Sequence, residues 1–65
     1  MSLISFCSRF LSENAKVCFV NADNGDITFE GMLNDTKFSD FKGREFFKIE
    51  GLGQEDDLII YWRKK

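Results

Sequence analysis

Three sets of residues in this chain are of types that do chemistry: the thiols Cys7 and Cys18, a scatter of carboxylates, and an aromatic and basic mixture toward the C-terminus, Phe46, Lys48, Tyr61, Trp62 and Arg63. There is no histidine, so the side chain that most often moves protons near neutral pH, or binds a transition metal, is missing. The two thiols lie outside any C-x-x-C motif, and no secretory signal precedes them. They are expected to stay reduced in a cytoplasmic setting, packed as small apolar groups.

The carboxylates are arranged no better for catalysis. Asp23, Asp26, Glu30, Asp35, Asp40, Glu45, Glu50 and Glu55 to Asp57 fall on turns or outward strand positions, where no apolar pocket would lift a pKa toward neutrality. The loop Asn21-Ala22-Asp23-Asn24-Gly25-Asp26 invites comparison with calcium loops. Aligned on Asn-Gly, however, it puts Val20 and Ala22 where carboxylate ligands belong and Gly31 where the bidentate glutamate should be. Gly51-Leu52-Gly53-Gln54 runs into an acidic triplet that repels anions, so it is no phosphate cradle. The expectation is a protein without catalytic residues, metal, cofactor or small-molecule substrate.

Phe46 and Tyr61 beside Lys48 and Arg63 are a different matter, because one sheet face carrying rings and cations can stack single-stranded bases. Opposing this, the net charge is -2 and the signs are interspersed, and affinity for nucleic acid scales with the phosphates that clustered cations neutralise. Only the tail Arg63-Lys64-Lys65 is a basic run. A protein partner or self-association is therefore the first expectation for such a face, with single-stranded nucleic acid, held by Phe46, Lys48, Tyr61, Trp62 and Arg63, as the alternative.

The elements that must position these groups can be read from hydrophobic periodicity. From Ser2 to Glu13, the residues Leu3, Ile4, Phe6, Cys7, Phe10 and Leu11 share one side of a helix with Ser2 as N-cap and Asn14 as terminator. This stripe is too short, and too poor in flanking cations, for a membrane helix. Beyond Lys16 the period becomes two. Lys16 to Asn21 and Asp26 to Leu33 flank a turn in which a three-residue loop with left-handed Gly25 sets Phe19 against Phe29 and Val17 against Gly31. Val17, Phe19, Ile27, Phe29 and Leu33 then form one apolar face. Lys37 to Phe41 reads as a short helical piece, and Glu45 to Gly51 with Leu58 to Arg63 as a second hairpin around the loop Leu52 to Asp57.

At 65 residues, 43% apolar and with eight phenylalanines, the chain is expected to form a single small domain, 1–65, around an aromatic core. The expected class is α+β, with the N-terminal helix packed on a mainly antiparallel four-stranded sheet of two hairpins joined by a short helical segment, in the order α-β-β-α-β-β. One helix covers one face. The other would carry Cys18, Val20, Thr28, Met32, Phe46, Lys48, Ile59, Tyr61 and Arg63, more apolar than a solvent face needs. Val20, Met32, Phe46, Lys48, Ile59, Tyr61 and Arg63 are the candidate partner-binding residues.

The phrases Phe29-Glu30-Gly31-Met32, Phe38-Ser39-Asp40-Phe41 and Leu58-Ile59-Ile60-Tyr61, within this layout, resemble small uncharacterised proteins of bacteriophages and mobile elements of Gram-positive bacteria. The resemblance spans much of the chain and transfers no site residue. It implies a compact accessory protein that binds a host or phage macromolecule.

Overall fold

The near-continuous apolar runs Val17 to Val20 and Leu58 to Trp62 become the two central strands of a sheet. The computed structural model describes residues 1–52 and 57–65, leaving aside the side chain of Leu52. Its elements are α1 (Leu3–Phe10), β1 (Lys16–Asn21), β2 (Ile27–Met32), two 3-10 turns (Leu33–Asp35 and Phe38–Asp40), β3 (Arg44–Leu52) and β4 (Leu58–Lys64). Strand order is β2-β1-β4-β3, with each hairpin antiparallel and β1 parallel to β4.

The α+β class therefore stands, while two finer expectations are corrected. The sheet is mixed, because the hairpins meet through their apolar strands, and a run of consecutive apolar residues is the usual mark of a central strand in a parallel pair. The joining segment is helical as expected over Phe38–Asp40, but it is built of two short 3-10 helices and no α-helix. Its polar side chains bond locally: Thr36 Oγ1 donates to the Leu33 carbonyl at 2.7 Å, and the Asp40 carboxylate accepts from the Lys37 backbone N–H at 2.8 Å. Such bonds compete with a longer helical ladder.

α1 begins as the sequence suggests, with Ser2 Oγ accepting from the Ser5 N–H at 3.2 Å. It stops at Phe10, well before Asn14. Leu11 turns extended toward the core, and Ser12 captures the following turn, its Oγ accepting from the Asn14 N–H and its carbonyl from the Ala15 N–H.

Among the described residues, α1 and the crossover pack on one side of the sheet. α1 contributes Leu3 and Cys7, the 3-10 crossover contributes Leu33 and Phe41, and the strands answer with Val17, Phe19, Ile60 and Trp62. Burying each large side chain of this set stabilises by about 1.5–3 kcal/mol. The Phe6 and Phe46 rings stack at 3.9 Å, and Phe19 meets Phe29 and Phe41 at 5.7 and 5.6 Å. The Trp62 indole N–H donates to Thr28 Oγ1 at 2.9 Å, and the Arg44 guanidinium lies 4.1 Å above the indole ring.

The first hairpin reaches the expected pairing by a different path. Phe19 faces Phe29 and Val17 faces Gly31, and Gly25 is left-handed at φ 79°. The loop is one residue longer than expected, because the Asn21 N–H bonds to the Asp26 carbonyl and Val20 pairs with Ile27. A bulge at Thr28 then restores the Phe19–Phe29 register. The consequence is an exchange of sides: Thr28 turns to Trp62 in the core, and Ile27 joins Val20 on the opposite face.

The accessible surface, 4333 Å², matches the value of about 4,300 Å² that the size scaling gives for a folded monomer of this mass. No helix of the described residues is long and apolar enough to cross a membrane.

Candidate functional site

Strand pairing lays the uncovered face out as rows running across the sheet. One row reads Met32, Lys16 and Asp57 from β2 through β1 to the residue before β4; the next reads Glu30, Cys18, Ile59 and Glu50 across all four strands. The third reads Ile27, Val20, Tyr61 and Lys48, and Arg63 with Glu45 closes the pattern on β4 and β3. Two central columns, Cys18 with Val20 and Ile59 with Tyr61, form an apolar floor. Longer side chains border it.

Of the expected partner-binding residues, Val20, Met32, Lys48, Ile59, Tyr61 and Arg63 lie on this face, while Phe46 does not. A bulge between Phe46 and Lys48 sends Phe46 inward, opposite Trp62 and stacked on Phe6. The bulged residue Phe47 takes its place outside, 47% exposed beneath the Arg63 guanidinium at 4.8 Å. Trp62, offered for base stacking, is sealed in the core at 6% exposure. Strict alternation along β3 misplaced Phe46 and missed Phe47. No local residue type marks that bulge, although β3 has nine residues against seven in β4, a mismatch that requires extra residues somewhere.

Exposure on the face is uneven. Val20 and Cys18 are 8% and 7% exposed, although neither belongs to the core cluster on the other side of the sheet. The free apolar surface sits further out, on Ile27 at 61%, Phe47 and Met32, with Ile59 and Tyr61 half-buried between.

Charges on the face are matched at short range. Lys48 reaches Glu50 at 3.4 Å and lies 4.9 Å over the Tyr61 ring, whose hydroxyl donates to the same glutamate at 3.2 Å. Arg63 pairs with Asp23 at 3.4 Å, and Lys16 with Asp57 at 3.5 Å. Asp57 is thus largely buried rather than a solvated turn residue. The Phe47 and Tyr61 rings therefore each carry a cation already, and each of those cations already has a carboxylate. Glu30 and Glu45 have no ion pair among the described residues. Burial raises the Cys18 thiol pKa, and the nearby Glu30 and Asp57 carboxylates add to the rise, so this thiol stays neutral and poorly nucleophilic.

Other candidate features do not assemble into a site. In the first hairpin loop Asn21 Oδ1 accepts from the Asp23 N–H and Asn24 Oδ1 from the Asp26 N–H, each at 2.9 Å, so both amides serve turn geometry. A shallow cleft of about 390 Å³ lies beside α1, lined by Ile4, Leu11, Leu33 and Phe41 with Cys7 behind them. Burial pushes the Cys7 thiol up to about 11. The hydroxyls at its rim, Ser8 and Thr36, donate to the Ile4 and Leu33 carbonyls, leaving no activated nucleophile. The described residues contain no cluster of three groups able to hold a metal ion. Of the stretch Gly51-Leu52-Gly53-Gln54, the first two residues end β3, while residues 53–56, with most of the acidic triplet, lie outside the described residues.

No protein family, curated protein or solved structure matches the chain.

Proposed function

We propose that this chain is a non-catalytic protein-interaction module, a small accessory, adaptor or inhibitor protein that works inside the cell and docks a protein partner on the open face of its sheet. The observation that carries the reading is the one-sidedness of the packing. α1 and the crossover both lie on one side, and the other side presents Ile27, Met32, Phe47, Ile59 and Tyr61 around a floor of Cys18 and Val20. Clustered exposed apolar side chains of this kind mark contact surfaces. The resemblance to small phage and mobile-element proteins points the same way.

Single-stranded nucleic acid fits the face less well. Stacking a base on Tyr61 or Phe47 requires moving the cation that lies over the ring, and that cation has its own carboxylate, so little positive potential remains to attract phosphate.

Affinity capture from the native host with the wild-type chain and with the variant Phe47→Ser/Tyr61→Ser tests the reading. A protein retained by the first and lost by the second is expected, while equal capture by both chains removes the open face from the account. Labelled single-stranded oligonucleotides at low salt are expected to remain unbound. Tight, salt-dependent binding would instead make nucleic acid the ligand.

A further inference from the structure

Resting on that reading, we infer the chemistry of the partner: an amphipathic α-helix whose apolar stripe is flanked on both sides by Lys or Arg. A sheet face offers side chains only, since its N–H and C=O groups are spent within the plane of the sheet. An extended segment laid upon it would leave its own backbone groups unpaired, whereas a helix arrives with them satisfied. The fold already uses this solution once, with α1 on the reverse side. The floor of Cys18, Val20, Ile59 and Tyr61 runs along the two parallel central strands, which gives such a helix a direction to follow.

The face and its margin hold five carboxylates, Asp23, Glu30, Glu45, Glu50 and Asp57, against three cations, Lys16, Lys48 and Arg63. The cations are taken by Asp57, Glu50 and Asp23. What remains is Glu30 on β2 and Glu45 on β3, at opposite edges of the sheet and both exposed. A helix lying along the central strands has one acidic group waiting on each flank. The same surplus disfavours a second copy of this face, because two identical acidic surfaces repel when brought together.

A displayed library of amphipathic helical peptides, with a fixed leucine stripe and randomised flanking positions, tests this on the full chain. Enrichment of Lys and Arg on both flanks is expected. The enriched peptide should lose about tenfold in affinity to Glu30→Lys/Glu45→Lys at low salt, and that loss should shrink at high salt, because exposed ion pairs are individually weak and screened. Both glutamates are exposed, so the variant keeps its fold. Neutral or acidic flanks on peptides that still lose binding to Phe47→Ser/Ile59→Ser would overturn the basic-helix proposal and leave the docking face standing. Peptides indifferent to Phe47→Ser/Ile59→Ser would overturn both. Failure of any helical peptide to enrich would overturn the helix alone if capture from the host still depends on the face.

Discussion

Trp62 and Val20 are almost equally hidden, at 6% and 8% exposure, yet they are hidden in different ways. Trp62 lies in a core layered between the sheet and α1 with its crossover, its ring packed under Arg44 and its N–H bonded to Thr28. Val20 lies on the other side of the sheet, between its cross-strand partners Ile27 and Tyr61, outside that layered core. The first kind of burial holds the molecule together. The second leaves a side chain one layer below water, available to whatever displaces that water. Low exposure alone does not distinguish a core from a docking floor; what lies over the residue does.

Truncating a side chain on the layered side should have the largest effect. Phe19→Ala should cost about 3–5 kcal/mol, comparable with the whole stability expected of a domain this small. Circular dichroism should find the variant largely unfolded. A well-folded variant would mean that the layered side is not where the stability lies.

Thr28→Val comes next. It removes the acceptor used by the Trp62 indole N–H and approached by Arg44 Nη1 at 3.4 Å, and a buried donor left unpaired costs about 1–3 kcal/mol. The urea midpoint should fall accordingly, with Thr28→Ser closer to the wild type. A midpoint unchanged by the valine would show that the bulge is not held by this bond.

Cys7 reports on the layered side through pH. Its thiol has a folded pKa of about 11 against an ordinary 9.0, because burial disfavours the thiolate. A raised pKa means the stabilisation is complete below pH 9.0 and is lost as pH rises through about 11. Melting temperatures measured over that window should fall more steeply for the wild type than for Cys7→Ala, and parallel curves would contradict the burial argument. The smallest effect belongs to the open face: Lys48→Ala should change unfolding free energy by less than about 1 kcal/mol, as exposed ion pairs do.

Much of this architecture could be read before the structure. The N-cap at Ser2, the Phe19–Phe29 and Val17–Gly31 register, and the inward set Leu58, Ile60 and Trp62 follow from local periodicity and turn chemistry. The parallel junction of β1 and β4 was harder to see, because hairpin signals describe neighbours in sequence and say nothing of how two hairpins meet. The consecutive apolar residues in both strands were the available sign. On the candidate face, Val20, Met32, Lys48, Ile59, Tyr61 and Arg63 were legible, whereas Phe46, Phe47, Ile27 and Thr28 were not. Each of these four sits at or beside a bulge, and one extra residue reverses the alternation on which the assignment to a face depends.

The claim underneath all of this is that the apolar groups of the open face are held for a partner and not for the fold. Urea unfolding of Phe47→Ser/Ile59→Ser measures it most directly. The account predicts a cooperative transition within about 1 kcal/mol of the wild type. A loss of several kcal/mol, or no cooperative transition at all, would place these side chains in the core and contradict it.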